Sequence, residues 1–348
     1  MPALLFLGLL LAPARFLCAQ APAPRPAPPV PPPPQQEDAQ TRIRVTTSLV
    51  VVPVVVKDAS GRLVSDLTRA DFRIFEDDVE QHVDVFSADP FPLSVVLLID
   101  NDLETRVAGQ VAATLPALAG GFSRSDEVYI ARFDQFFHEG KGFTADPDVL
   151  LTQLQRVAVK SSPAPAPAGG PLGSGPKLNG IPAPGASQIP PSARILKGQP
   201  TKNVDDAVYA AAQLLKDRGR DRRKLIFLLS DGVNSKHNIM SFDDTVRSLL
   251  TAGISVYSVG VGNAFFNRRL TVLSKYAHAT GGDVFYAAQR EDLERLYSTV
   301  SEEARNQYTL AYTPRGTDRS LEYHSVEIRV TRPGLSILAR DGYYAGLP

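Results

Sequence analysis

The sequence predicts an α/β fold: a doubly wound, mainly parallel sheet, with a companion β-rich domain formed by its N- and C-terminal flanks. Three observations predict it. Runs such as LSVVLLID and KLIFLLSDG are apolar on both faces, as strands covered on both sides must be. Segments of helical period separate these runs. Outside them, residues 41–91 and 305–348 alternate apolar and polar residues between Pro and Gly turns, the period of antiparallel strands.

Taken from the start of the chain, residues 1–19 read as a secretory signal. An apolar run of roughly ten residues ends near small residues and is too short to span a bilayer. No Lys or Arg precedes the run, and Arg15 lies late in it. Cleavage is expected after Ala19, because a cut after Ala21 would place Pro22 beside the scissile bond. The single cysteine, Cys18, would leave with the leader, and the bulky Leu17 before it argues against lipid anchoring there. The mature chain then has no thiol, which excludes disulfides and Cys-based metal sites. An exported protein, periplasmic or extracellular and without a transmembrane span in its mature form, is the expectation. Residues 20–40 are Pro-rich and read as an extended, disordered linker.

In the N-terminal β segment, SLVVVPVVVKDASGRLV reads as a hairpin turning at Asp58–Gly61, and DLTRADFRIFEDDVEQHVDVFS as a helical turn and two strands around Glu76–Val79. The α/β domain is placed at residues 92–304. Its strands are LSVVLLID, EVYIARFD, a short return strand in FFHEGKGF, KLIFLLSDG, ISVYSVGVG and GDVFYA. Its helices lie near 104–119 and in DPDVLLTQLQRV, VDDAVYAAAQLLKDR, DDTVRSLLTAG, NRRLTVLSKYAHATG and REDLERLYSTVSEEA. Residues 161–200, rich in Pro and Gly, are expected to form a disordered insertion. The strands of 305–348 are expected to pack with 41–91, since each flank is too small to fold alone.

Such sheets bind ligands at the carboxyl ends of their strands. Asp100 ends the first sheet strand, and Asp231 ends KLIFLLSDG by the same logic, so both acids emerge at one sheet edge. LLIDNDLE adds Asp102 and Glu104, and Asp134 ends EVYIARFD. Clustered oxygens suit a hard divalent cation, Mg²⁺ or else Ca²⁺ or Mn²⁺, although the site need hold none.

At this point the chain resembles the von Willebrand factor type A (VWA) domain, through strand-D-x-[SD]-x-[SE], a later Thr before a helix, and strand-[ST]-D-G. The flanks resemble the VWA-related domain proteins of Acidobacteria. The resemblance implies a metal-ion-dependent adhesion site that captures a carboxylate of a protein partner. It assigns Asp100, Asp102, Glu104, Asp231 and Thr201 as metal ligands; Asn101, Asp134 and Gly232, at the same strand ends, are expected as further binding contacts. Two departures stand out. Asp102 and Glu104 occupy places where the family has serines, which would tighten metal binding and weaken capture of an acidic partner. PTKNVDDAVYAA puts Thr201 one residue early, so that Lys202 falls in the threonine's place if no gap is allowed; its ammonium would then replace the ion and leave a metal-free salt-bridged cluster.

Basic and acidic residues balance at 37 each, which gives no field to draw nucleic acid or an anionic membrane. The expected function is non-enzymatic binding of a protein partner of unspecified identity, with the oligomeric state open. One alternative is a structural envelope component with a vestigial site. A second is a phosphohydrolase of the haloacid-dehalogenase type, since strand-D-x-D opens those enzymes too. There the late acidic pair is missing, because ISVYSVGVGN ends in Gly and Asn. No G-x-S-x-G elbow occurs, and His82, His138, His237, His278 and His324 lack ligand spacing. GVGNAF reads as a strand-end turn, KDRGRDRRK as a solvated loop, and Asp134, Asp205 and Asp206 first as turn acids or helix caps.

Overall fold

The computed structural model describes residues 49–159, 161–162, 177–178, 181–182, 202–219, 221–266, 271–315 and 322–345. The expected signal with Cys18, the Pro-rich linker, Thr201 and most of the insertion lie outside the described residues. Within the insertion, Ser161–Ser162 pairs with Leu103–Glu104, and Lys177–Leu178 with Ile181–Pro182.

The N-terminal flank supplies β1 (Val50–Lys57), β2 (Phe72–Glu76), β3 (Val79–Gln81) and β4 (Val85–Ser87). The α/β part contributes β5 (Leu93–Asp100), β6 (Glu127–Phe133), β7 (Phe137–His138), β8 (Arg223–Ser230), β9 (Ile254–Gly260) and β10 (Val284–Tyr286). Its main helices are α1 (Thr105–Thr114), α2 (Pro147–Gln155), α3 (Val204–Leu215), α4 (Phe242–Ala252), α5 (Val272–Thr280) and α6 (Arg290–Arg305). The tail adds β11 (Tyr308–Tyr312), β12 (Tyr323–Val330), β13 (Ser336–Leu338) and β14 (Gly342–Tyr344).

The central sheet runs β10-β9-β8-β5-β6-β7, parallel except for the β7 edge. Every residue of β5 is buried, as its unbroken apolar run requires of a strand with helices on both faces. Leu97, Phe227 and Tyr297 belong to the core on one face, and Leu98, Leu228 and Tyr276 to that on the other.

The flanks form two antiparallel sheets, β13-β1-β11-β4 and β14-β12-β2-β3. Val50 pairs with Tyr312 and Val326 with Glu76, so each sheet mixes strands from both ends of the described chain. Val52, Val54 and Leu310 of one sheet share a core with Phe72, Ile74 and Ile328 of the other. The hairpin expected at Asp58–Gly61 turns there, but its second arm is a single bridge, Lys57 to Leu63. β1 instead takes β11 and β13 as partners, which offer longer ladders.

Candidate functional site

The register Leu229 to Ile99 sets the ends of β8 and β5 side by side. β6 continues from β5 on one side and β8 returns on the other, so this edge is the topological switch point of the sheet. Asp100 closes β5 and is fully buried. Its Oδ2 accepts hydrogen bonds from Ser230 Oγ at 2.7 Å and Lys202 Nζ at 3.0 Å, and its Oδ1 from the Asp102 amide at 2.9 Å. Asp231, just beyond β8, receives the same ammonium at 2.8 Å and the Val233 amide at 3.0 Å.

Lys202 therefore stands between the two acids, its side chain only 6% exposed. Burial pushes the Asp100 carboxyl up to about 6, opposed by Lys202 and reinforced by Asp231. Burial also works against the charge on Lys202, yet the two carboxylates outweigh it and hold the ammonium above its ordinary value. The pair is a buried ion pair with its lone pairs well used, the condition under which such a pair persists.

Of the predicted ligands, Asp100 and Asp231 meet at this ammonium. Asp102 is half-buried and reaches Asp100 through its backbone, while Glu104 is exposed at the N-cap of α1, without a capping bond. Each of the expected binding contacts has a role within the fold. Asn101 donates to Asp134 at 3.3 Å, and Asp134 also accepts from the Phe136 amide and His138, bonds that hold its carboxyl below the usual range against the effect of burial. Gly232 has φ +73°, and a Cβ there would lie 2.9 Å from the Thr271 side chain, so the [ST]-D-G pattern marks a backbone need.

The loop after β8 is stitched to the start of α3. Asn234 Oδ1 accepts from the Val204 amide, and Asn238 Oδ1 accepts from those of Asp205 and Asp206. In return Asp205 accepts from Asn234 Nδ2 and Tyr276 Oη, and Asp206 from the amides of Ile239 and Met240. The loop asparagines thereby cap α3 in place of Asn203, whose own side chain makes no capping bond. Two large apolar side chains project from the same rim: Ile239 is 92% exposed and Phe136, in the β6–β7 turn, 65%.

The sequence model of the von Willebrand factor type A domain matches residues 193–299, a span that holds both Lys202 and Asp231. The chain contains a von Willebrand factor type A domain. Among solved structures, that of proximal thread matrix protein 1 from the mussel byssus is 12% identical, covering 64% of this chain and 49% of its own, with a TM-score of 0.42. The chain thus spans about half the length of that protein. A von Willebrand factor type A protein from Catenulispora acidiphila is 8% identical over 85% of this chain and 75% of its own, with a TM-score of 0.44. The manganese-loaded TRAP protein of Plasmodium vivax is 11% identical over 79% of this chain and 100% of its own, with a TM-score of 0.38. No curated protein matches the sequence.

The residues at the VWA sheet edge do not fit a divalent cation. The point that such an ion would take between Asp100 and Asp231 is held by Lys202 Nζ. Among the described residues, the set of three potential ligands within mutual reach is elsewhere, at Glu76, Asp77 and His324 in the flanking sheets. That set is hard to read from the sequence, because its members are distant in the chain. The available signal was phase: Glu76 continues the inward series Phe72 and Ile74, and His324 the series Val326 and Ile328. No helix among the described residues is long and apolar enough to cross a membrane.

Proposed function

We propose that the protein is an exported, non-enzymatic binding module whose VWA sheet edge is closed by a lysine, so that it recognises a protein partner without a metal ion there. The observation that carries this reading is the Lys202 ammonium shared by Asp100 and Asp231. A carboxylate from a partner gains nothing at a cation already saturated by two acids, so capture of an acidic group at this point is disfavoured. Recognition falls instead to the surrounding rim, where Ile239 and Phe136 present apolar surface on a loop and a turn held by hydrogen bonds. Exposed apolar anchors on fixed backbone are a frequent basis of protein recognition. Export rests on the leader-like pattern of the first residues.

The test pairs stability with capture. Millimolar Mg²⁺ added to the tag-free chain, first stripped with chelator, should leave its melting temperature unchanged, because a ligand bound only by the native state must raise it. Proteins retained from the source organism should be the same in EDTA and in Mg²⁺, and Ile239→Asp with Phe136→Asp should release them. Retention that needs Mg²⁺, or that ignores both rim substitutions, contradicts the proposal.

A further inference from the structure

The flanking β-sheets hold a second set of chemistry-bearing residues that the VWA rim does not use. Glu76 ends β2 and is fully buried, and neither of its carboxylate oxygens has a hydrogen-bond partner. Its polar neighbours include the hydroxyls of Tyr312 and Tyr343, both raised by burial first and by this carboxylate second; they lie near enough to act on Glu76 as weak donors, but neither reaches full hydrogen-bond geometry. His324, on the adjacent strand β12, is 2% exposed. Its Nδ1 lies 2.7 Å from Asp77 Oδ2 and 3.7 Å from Glu76 Oε1. One ligand atom from each of the three residues lies within 4.8 Å of the other two.

The backbone fixes this convergence. Glu76 pairs with Val326 in the β2–β12 ladder, which brings His324 to the end of β2. Asp77 and Asp78 both adopt positive φ, 46° and 65°, in the tight turn to β3. That turn swings Asp77 back over β12, where it also accepts from the Ser325 amide at 2.9 Å. A left-handed conformation at two successive non-glycine residues is costly and is kept where surrounding contacts impose it.

A buried carboxylate without a well-made hydrogen bond at either oxygen is costly unless a cation reaches it. We propose that Glu76, Asp77 and His324 form a binding site for a first-row divalent transition metal, Zn²⁺ or Mn²⁺. An imidazole nitrogen among carboxylates suits these ions better than Mg²⁺ or Ca²⁺, which prefer oxygen alone. Three protein ligands leave a fourth position for water, and the Asp77 side chain, 27% exposed, marks the side from which an ion enters. Bound there, the ion takes His324 through a deprotonated Nδ1, with the ring proton on Nε2, and ties the β2–β3 turn to β12. The competing arrangement is a metal-free ion pair of protonated His324 with the two acids.

The experiment is titration of the full, tag-free chain, stripped with chelator, with ZnCl₂ and separately with MnCl₂, followed by calorimetry and by thermal unfolding. One equivalent of at least one of the two metals should bind and raise the melting temperature. Asp77→Asn, which tolerates the left-handed turn and keeps one acceptor, should weaken binding at least tenfold, and His324→Gln should abolish it. Asp231→Asn should leave it unchanged, which separates this site from the VWA rim. Absence of binding by both metals, or binding that survives Asp77→Asn and His324→Gln, or binding lost in Asp231→Asn, overturns the proposal in favour of the ion pair or of the rim.

Discussion

A lysine ammonium and a divalent cation satisfy two facing carboxylates in different ways. The ion draws in further oxygens at short range, whereas Lys202 brings three hydrogens and a covalent tether that fixes where its charge can be. Asp100 is raised to about 6 by burial. A raised carboxyl favours the folded state most below its ordinary value, and that contribution is lost as the pH climbs through about 6. Lys202→Met removes the ammonium that opposes this shift, so the window of loss moves to higher pH. We expect Lys202→Met to cost about 3–5 kcal/mol at pH 8, as an uncompensated buried charge does, and much less at pH 5. Denaturant unfolding at the two pH values checks it, and an equal loss at both contradicts it. The ends of two apolar runs were legible as neighbouring acids because a buried parallel strand has only one rim at which to present its last residue. Whether Thr201 or Lys202 comes with them depends on how tightly the chain enters α3, and spacing in the sequence leaves that open. The structure places Lys202 at the acids, with its carbonyl held by the Ser235 amide at 2.7 Å.

Between β8 and α4 the chain makes no regular structure, yet its side chains do the capping that α3 lacks. Asn238 Oδ1 receives two amides of the first turn of α3, and Asp206 returns the contact to Ile239 and Met240. Asn238→Ala should therefore cost about 1 kcal/mol, the usual worth of a helix cap, and free the Ile239 segment. Thermal unfolding reads the first effect and faster amide exchange at Ile239 and Met240 the second; unchanged exchange there contradicts the capping role. Asp205 serves the same junction from inside, bonded to Tyr276 Oη at 2.7 Å and to Asn234 Nδ2 at 2.8 Å. The elements of the α/β part follow the sequence closely, because strand and helix periods there are undiluted. α3 begins at Val204 and α6 runs Arg290–Arg305, close to where apolar spacing puts them. The loop asparagines were not legible as caps, since a cap supplied from another segment leaves no trace beside the helix that it serves. Glu76 and His324 were not legible as neighbours for a similar reason: strand phase shows that each points inward, but register between distant strands decides that they meet.

The described residues lie in one compact unit, and ionic contacts join the flanking sheets to the VWA part within it. Lys57, at the end of β1, donates to Asp283 at 2.5 Å and pairs with Glu303 of α6 at 2.7 Å. Burial lifts Glu303 to about 7, with Lys57 opposing the rise. Because this value lies above the ordinary carboxyl range, the folded state holds a proton that the unfolded chain has released, and stability falls as the pH rises from about 4.5 to about 7. Glu303→Gln should flatten the part of that slope near neutrality, which melting curves between pH 6 and 8 would show; an unaltered slope contradicts this role for Glu303. Whether the rim works without metal turns on what sits at the switch point of the central sheet. Anomalous diffraction from crystals of the full chain grown with Mn²⁺ tests that most directly. We predict no manganese peak between Asp100 and Asp231, with Lys202 Nζ in hydrogen-bond contact with both; a peak there, with the lysine displaced, contradicts the metal-free rim.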